Sequence, residues 1–181
     1  LHWGLFLGLE KLKILTIVFI LFGQSIFAGS KCIAHRGNNK YFFENSLSSI
    51  QSAVEQGAHG VEFDIVDTYD NVSILSHDKT LRRIATHKPG KRCPLTTRIR
   101  FLKLHVIQER CQLRNGEEIP TLNEVLTYLQ DKNIYRFIEF KSMPSVQTLK
   151  LIEKFHTDDK SKLRIISFKK RYINKAIYRS L

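Results

Sequence analysis

Two carboxylates stand two residues apart in the short apolar run Val61-Glu62-Phe63-Asp64-Ile65. On a strand, residues i and i+2 share a face, so Glu62 and Asp64 aim their oxygens at one spot. Unpaired buried charge is costly, so something positive should sit between them. A second apolar run, Ile138-Glu139-Phe140-Lys141, adds a carboxylate at its own polar end. Glu62, Asp64 and Glu139 offer oxygen ligands alone, a set that suits a hard divalent cation, Mg²⁺ or Ca²⁺, rather than zinc. The competing reading pairs Glu139 with Lys141 or an arginine as a structural ion pair. His35 and His77 titrate near neutrality and each lies beside a charged residue, Arg36 and Asp78, which makes them a fair general acid/base pair. Asp78 either orients His77 or only caps the local backbone. Arg36 suits a phosphate as a bidentate clamp and Lys141 suits it as a point charge.

These residues need elements that bring them to one place. Lys31 to Gly37 reads as a strand with a polar tip. Asn45 is a candidate cap for a helix carrying Leu47, Ile50, Ala53 and Val54, which Gly57 ends. Val61–Ile65 follows, so 31–65 predicts a parallel strand pair with a helical crossover. Val72 to Asp78 reads as a further strand, reached by an extended return through the turn signal Asp70-Asn71. Residues 79–119 are the least legible part; Leu102, Leu104 and Val106 fit either a short helix or a packed loop. Thr121 and Glu124 form a capping box for a helix to about Gln130. Strand 134–140, helix 145–156, strand 163–168 and helix 169–180 complete the order. Polar tips at strand ends are the plan of a TIM-type (β/α)8 barrel, whose sites lie at the C-terminal rim. About five of its strands are visible, and such a partial barrel leaves unpaired edges.

The 181 residues suffice for one domain with a core, and 43% are hydrophobic. Net charge is +12. That excess reads as a solvated basic surface or as attraction to anionic partners, phospholipid surfaces among them. No RNA- or DNA-binding motif accompanies it, so nucleic acid is not expected. Lys11 and Lys13 precede the apolar run Ile14 to Phe22, and Ala28 offers a cleavage point. Residues 1–28 therefore read as a signal peptide or N-terminal hydrophobic anchor. That predicts an exported chain, periplasmic or secreted, or one held at a membrane by this segment. Residues 29–181 form the barrel part. Export permits a disulfide, most plausibly Cys93 with Cys111, and Cys32 reads as a buried strand thiol. Met143 is the only methionine, so the chain reads as a fragment.

The motifs taken in order resemble the glycerophosphodiester phosphodiesterase family. Its His-Arg-Gly is His35-Arg36-Gly37, and its Pro-Glu-Asn-Thr/Ser is Phe43 to Ser46, with Phe43 in the proline place. Its Val-Glu-x-Asp strand spans Gly57 to Ile65, with His59 replacing an acid. Its turn, strand and His-Asp run from Thr68 to Asp78, with Asn71 replacing glycine. Ile119 to Leu122, Ile138 to Lys141 and Ile166 to Phe168 fit the later blocks, so the likeness covers about 32–170. The resemblance implies a metal-dependent hydrolase that cleaves glycerophosphodiesters to sn-glycerol 3-phosphate and an alcohol. Glu62, Asp64 and Glu139 would bind the metal. His35 and His77 would act as acid and base, in an order left open. Arg36, Lys141 and Glu44 would meet the substrate. The alternatives are a truncated inactive relative, or a phospholipase D-like enzyme acting on lysophospholipids or sphingomyelin. His2, His59, His87, His105 and His156 lie off the pattern and read as surface or packing residues.

Overall fold

A computed structural model of the chain describes residues 30–155 and 160–178. Strand β1 (Ile33–His35) leads into helix α1 (Leu47–Glu55), and α1 into strand β2 (Gly60–Asp67). All eight residues of β2 are buried, as the central strand of a parallel sheet requires. Gly60 lets the neighbouring strands approach closely: a Cβ would stand 2.6 Å from Ile33 Cδ1 and 3.0 Å from Tyr135 Cβ. The α1 N-cap is Ser46, whose hydroxyl accepts from the Ser49 N–H. Asn45, expected in that role, instead turns inward with φ +55°.

Strand β3 (Ser73–Leu75) pairs antiparallel with β2, Asp67 opposite Ser73 and Ile65 opposite Leu75. The expected parallel return is thus a hairpin. Its connection is too short to cross the sheet, and Asn71 turns it with φ +61°. Strand β4 (Ala85–His87), a 3-10 turn (Ile99–Phe101), helix α2 (Leu104–Arg110) and strand β5 (Cys111–Leu113) follow. Here β4 and β5 form their own two-stranded sheet. Helix α3 (Leu122–Leu129) opens with the expected Thr121/Glu124 capping box. Strand β6 (Tyr135–Phe140), helix α4 (Val146–Lys154), strand β7 (Leu163–Ile166) and helix α5 (Lys170–Tyr178) complete the described elements.

The main sheet runs β1-β2-β6-β7, all parallel, with β3 paired to β2. This is an open part of a TIM-type barrel. Four of its strands are parallel, and the third of the five strands expected from the sequence, 72–78, is the antiparallel arm. One core lies between the sheet and helices α1, α3, α4 and α5, and includes Ile50, Phe63, Leu126, Ile138, Ile152 and Tyr172. Buried Arg136 closes the end of α3 by donating to the carbonyls of Leu129, Gln130 and Lys132. At the end of β2, Asp67 accepts from Ser73, the Ser145 N–H and Thr148, which fixes the start of α4.

Residues 79–119 build a second core, where Leu81, Ile84, Ile99, Ile107 and Leu113 meet Val66 and Ile74 of the hairpin. Cys93 and Cys111 form the expected disulfide within it. Cys32 is free and exposed, not buried, because β1 begins one residue later.

The expectation of an exported or membrane-anchored chain does not stand. Among the described residues no helix is long and apolar enough to cross a membrane. Residues 1–28, on which that expectation rests, lie outside the described residues.

Candidate active site

The site forms where β1, β2 and β6 end their polar alternation. Register sets Asp64 beside Glu139 and His35 beside Glu62. The chain then turns sharply: Arg36 has φ +56° and Gly37 φ +75°. Gly37 lies so close to α1 that a Cβ would fall 2.4 Å from Ser49 Oγ. This turn aims the Arg36 N–H at Glu62, to which it donates at 2.9 Å. The Arg36 guanidinium reaches Glu44 at 3.2 Å and stands 3.1 Å from Asp64. Asn45 explains its own left-handed backbone: its side-chain amide donates to Asp64 Oδ2 while its carbonyl accepts the Asp64 N–H. Lys141 completes the ring, 2.6 Å from Glu139 and 3.1 Å from Asp64.

Glu62, Asp64 and Glu139 are all buried and present one oxygen each within 4.8 Å of one another. The alternative of a closed structural ion pair accounts for Glu139 and Lys141 but not for the cluster. Glu62 Oε1 and Asp64 Oδ1 are buried without a hydrogen bond, since Lys141 reaches the latter at ion-pair distance only. Orphan buried oxygens are costly, and a divalent cation would complete an all-oxygen set of this kind. Burial, and then the neighbouring Asp64 charge, push the Glu62 carboxyl up to about 7, against the pull of the Arg36 N–H.

The hairpin brings His77 back toward the same region from the opposite direction, since Ser76 donates its N–H to the Asp64 carbonyl. His77 Nδ1 lies 2.8 Å from Asp78 Oδ1, so Asp78 orients the ring. His35 is largely exposed, with Nε2 3.8 Å from Glu62.

Arg83 is the residue that sequence reasoning missed. It sits in the layer built by residues 79–119, inserted between β3 and α3, and donates at 2.7 Å to both Asp78 and Glu44. Burial alone would raise the Glu44 and Asp78 carboxyls. Arg83 together with Arg36 holds Glu44 below its ordinary value, and His77 together with Arg83 does the same for Asp78. The only sequence signal was its place five residues after Asp78, which a surface arginine shares. His59 and His87 each accept a backbone N–H, from Cys32 and Cys93, in keeping with packing roles. His2 and His156 lie outside the described residues.

The family model for the glycerophosphoryl diester phosphodiesterase family matches residues 35–178. The chain is 40% identical over 112 residues to glycerophosphodiester phosphodiesterase 1 of Mus musculus, covering 60% of this chain. It spans 33% of the length of that relative. A glycerophosphodiester phosphodiesterase structure from Agrobacterium tumefaciens superposes with TM-score 0.71 at 21% identity, covering 84% of this chain and 64% of that one. One from Parabacteroides distasonis gives TM-score 0.63 at 28% identity, covering 83% and 61%. The open α/β barrel is the fold these structures share with the chain. The chain belongs to the glycerophosphoryl diester phosphodiesterase family.

Proposed function

We infer that this site hydrolyses glycerophosphodiesters to sn-glycerol 3-phosphate and an alcohol with the help of a divalent cation, Mg²⁺ or Ca²⁺. The observation that carries the reading is the cluster Glu62, Asp64 and Glu139, with two orphan buried oxygens beside the cations Arg36 and Lys141. A cation held there would polarise a phosphoryl oxygen and lower the barrier to attack on phosphorus.

The chain's own residues do the rest. Arg36 and Lys141 face the phosphate's negative charge and hold it against the carboxylates' repulsion. His77 Nδ1 lies 2.8 Å from Asp78 Oδ1; with the ring proton held on that side, Nε2 would be free to take a proton from the attacking oxygen. His35, open to solvent, returns a proton to the departing alcohol. Glu44, pinned between Arg36 and Arg83, holds the loop that carries Asn45 and so fixes Asp64.

The experiment is release of glycerol 3-phosphate from glycerophosphocholine, with and without EDTA. Release that EDTA stops and either Mg²⁺ or Ca²⁺ restores is expected. Release that survives EDTA, or cleavage of sphingomyelin in preference, would overturn the reading.

A further inference from the structure

A cavity of about 450 Å³ opens outside the acidic cluster. The inserted layer lines one wall with Lys79, Arg98 and Arg100; α5 lines another with Arg171 and Lys175. None of Glu62, Asp64, Glu139, His35 or His77 borders it. The one acid at its edge, Asp67, is buried and already accepts from Ser73, Ser145 and Thr148. Among the described residues none of the five cations has a carboxylate partner.

Five like charges around one small space repel, and an anion entering it relieves that repulsion. Two of the guanidinium groups rest on neighbouring rings, Arg100 on Phe101 at 4.5 Å and Arg171 on Tyr172 at 5.3 Å. Stacking limits their rotamers, so less entropy is lost when their forks meet oxygen. Arginine forks match phosphate geometry. The volume is on the scale of a small molecule rather than a polymer.

We propose that this cleft is a second anion site, separate from the catalytic cluster, for a small ligand bearing more than one phosphate group. It draws its walls from the inserted layer and from the last described helix, so a bound ligand ties these two elements together.

The test is calorimetric titration of the chain with inorganic pyrophosphate at low ionic strength in EDTA. One ion per chain should bind, and binding should weaken as salt rises. Arg98→Ala with Arg100→Ala should lower affinity at least about tenfold, as should Lys175→Ala on the facing wall. Lys150→Ala, on the exposed side of α4, should leave it unchanged. Lys141→Ala should also leave it unchanged, because that lysine belongs to the catalytic cluster. Hydrolysis of glycerophosphocholine by the cleft variants should match the parent, which also shows that they fold. Competition by phosphatidic acid vesicles would assign the phosphate to a lipid head group; failure to compete would assign it to a soluble ligand. Either result keeps the site. Equal binding by the double variant, loss of binding in Lys141→Ala, or no binding by the parent would overturn the proposal.

Discussion

At the rim of the parallel sheet, Glu62 and Asp64 each keep a buried oxygen without a hydrogen bond. Across the inserted layer, Arg83 gives Asp78 and Glu44 a full charged partner. Both places concentrate acids, yet burial and neighbouring charge raise Glu62, while Arg83 with Arg36 lowers Glu44 and His77 with Arg83 lowers Asp78. The difference separates a cluster poised to receive a cation from a brace that is already satisfied. Stability alone would favour a hydrogen bond for every buried oxygen; the two left without one, on Glu62 and Asp64, set this cluster apart.

The sharpest way to break this contrast is to remove a carboxylate from the cluster. Asp64→Asn should lower glycerophosphodiester turnover by more than ~100-fold, beyond the loss typical of residues behind a metal ligand. A steady-state assay with glycerophosphocholine checks it. In the metal-free protein, Glu62→Gln should instead raise thermal stability at pH 8, by roughly 1–3 kcal/mol, since a penalised charge is gone. His77→Ala and His35→Ala should each cost about 10²–10⁴-fold in kcat.

The inserted layer should fail differently. Replacing Cys93 and Cys111 by serine should destabilise the fold by about 2–4 kcal/mol. Hydrogen exchange should show faster opening of β4 and β5 than of β2. Arg83→Gln should lower kcat about tenfold with little change in KM, because the Asp78 that orients His77 would lose its anchor. Arg83→Lys should rescue little, because a point charge cannot span two carboxylates.

The smallest effects are in stability against pH. Glu62 has a raised folded pKa of about 7, so without a cation the folded state binds its proton more tightly than the unfolded chain does. Its contribution is fully present below the ordinary glutamate value near 4.5 and is lost as pH rises to about 7. Asp78 and Glu44 are lowered, so their contribution is present above their ordinary values and is lost as pH falls below them. Chemical denaturation from pH 3 to 8 should therefore show Glu62→Gln flattening the neutral side and Arg83→Gln flattening the acid side.

The rim was legible because parallel strands are short apolar runs with polar ends: β1 and β6 carry His35 and Glu139 near those ends, and Glu62 with Asp64 break the apolar run of β2 beside them. The capping boundary at Thr121 was legible for the same reason, a local pattern with a local cause. The hairpin was not. A parallel and an antiparallel strand share one residue pattern, and only the short Thr68–Val72 connection, turned at Asn71, separates them. Residues 79–119 hid because their core comes from contacts distant in sequence and shows no period. Arg83 hid among 29 lysines and arginines; its two carboxylate partners lie 5 and 39 residues away and meet only in the fold.

Glu62, Asp64 and Glu139 are proposed to hold one divalent cation. Calorimetric titration of the metal-free protein with Mg²⁺ and Ca²⁺ at pH 8 tests it most directly. One ion per chain should bind, more weakly at pH 6 where Glu62 retains its proton, and Asp64→Asn should abolish the signal. Equal binding by Asp64→Asn, or no binding by a folded parent protein, would contradict the account.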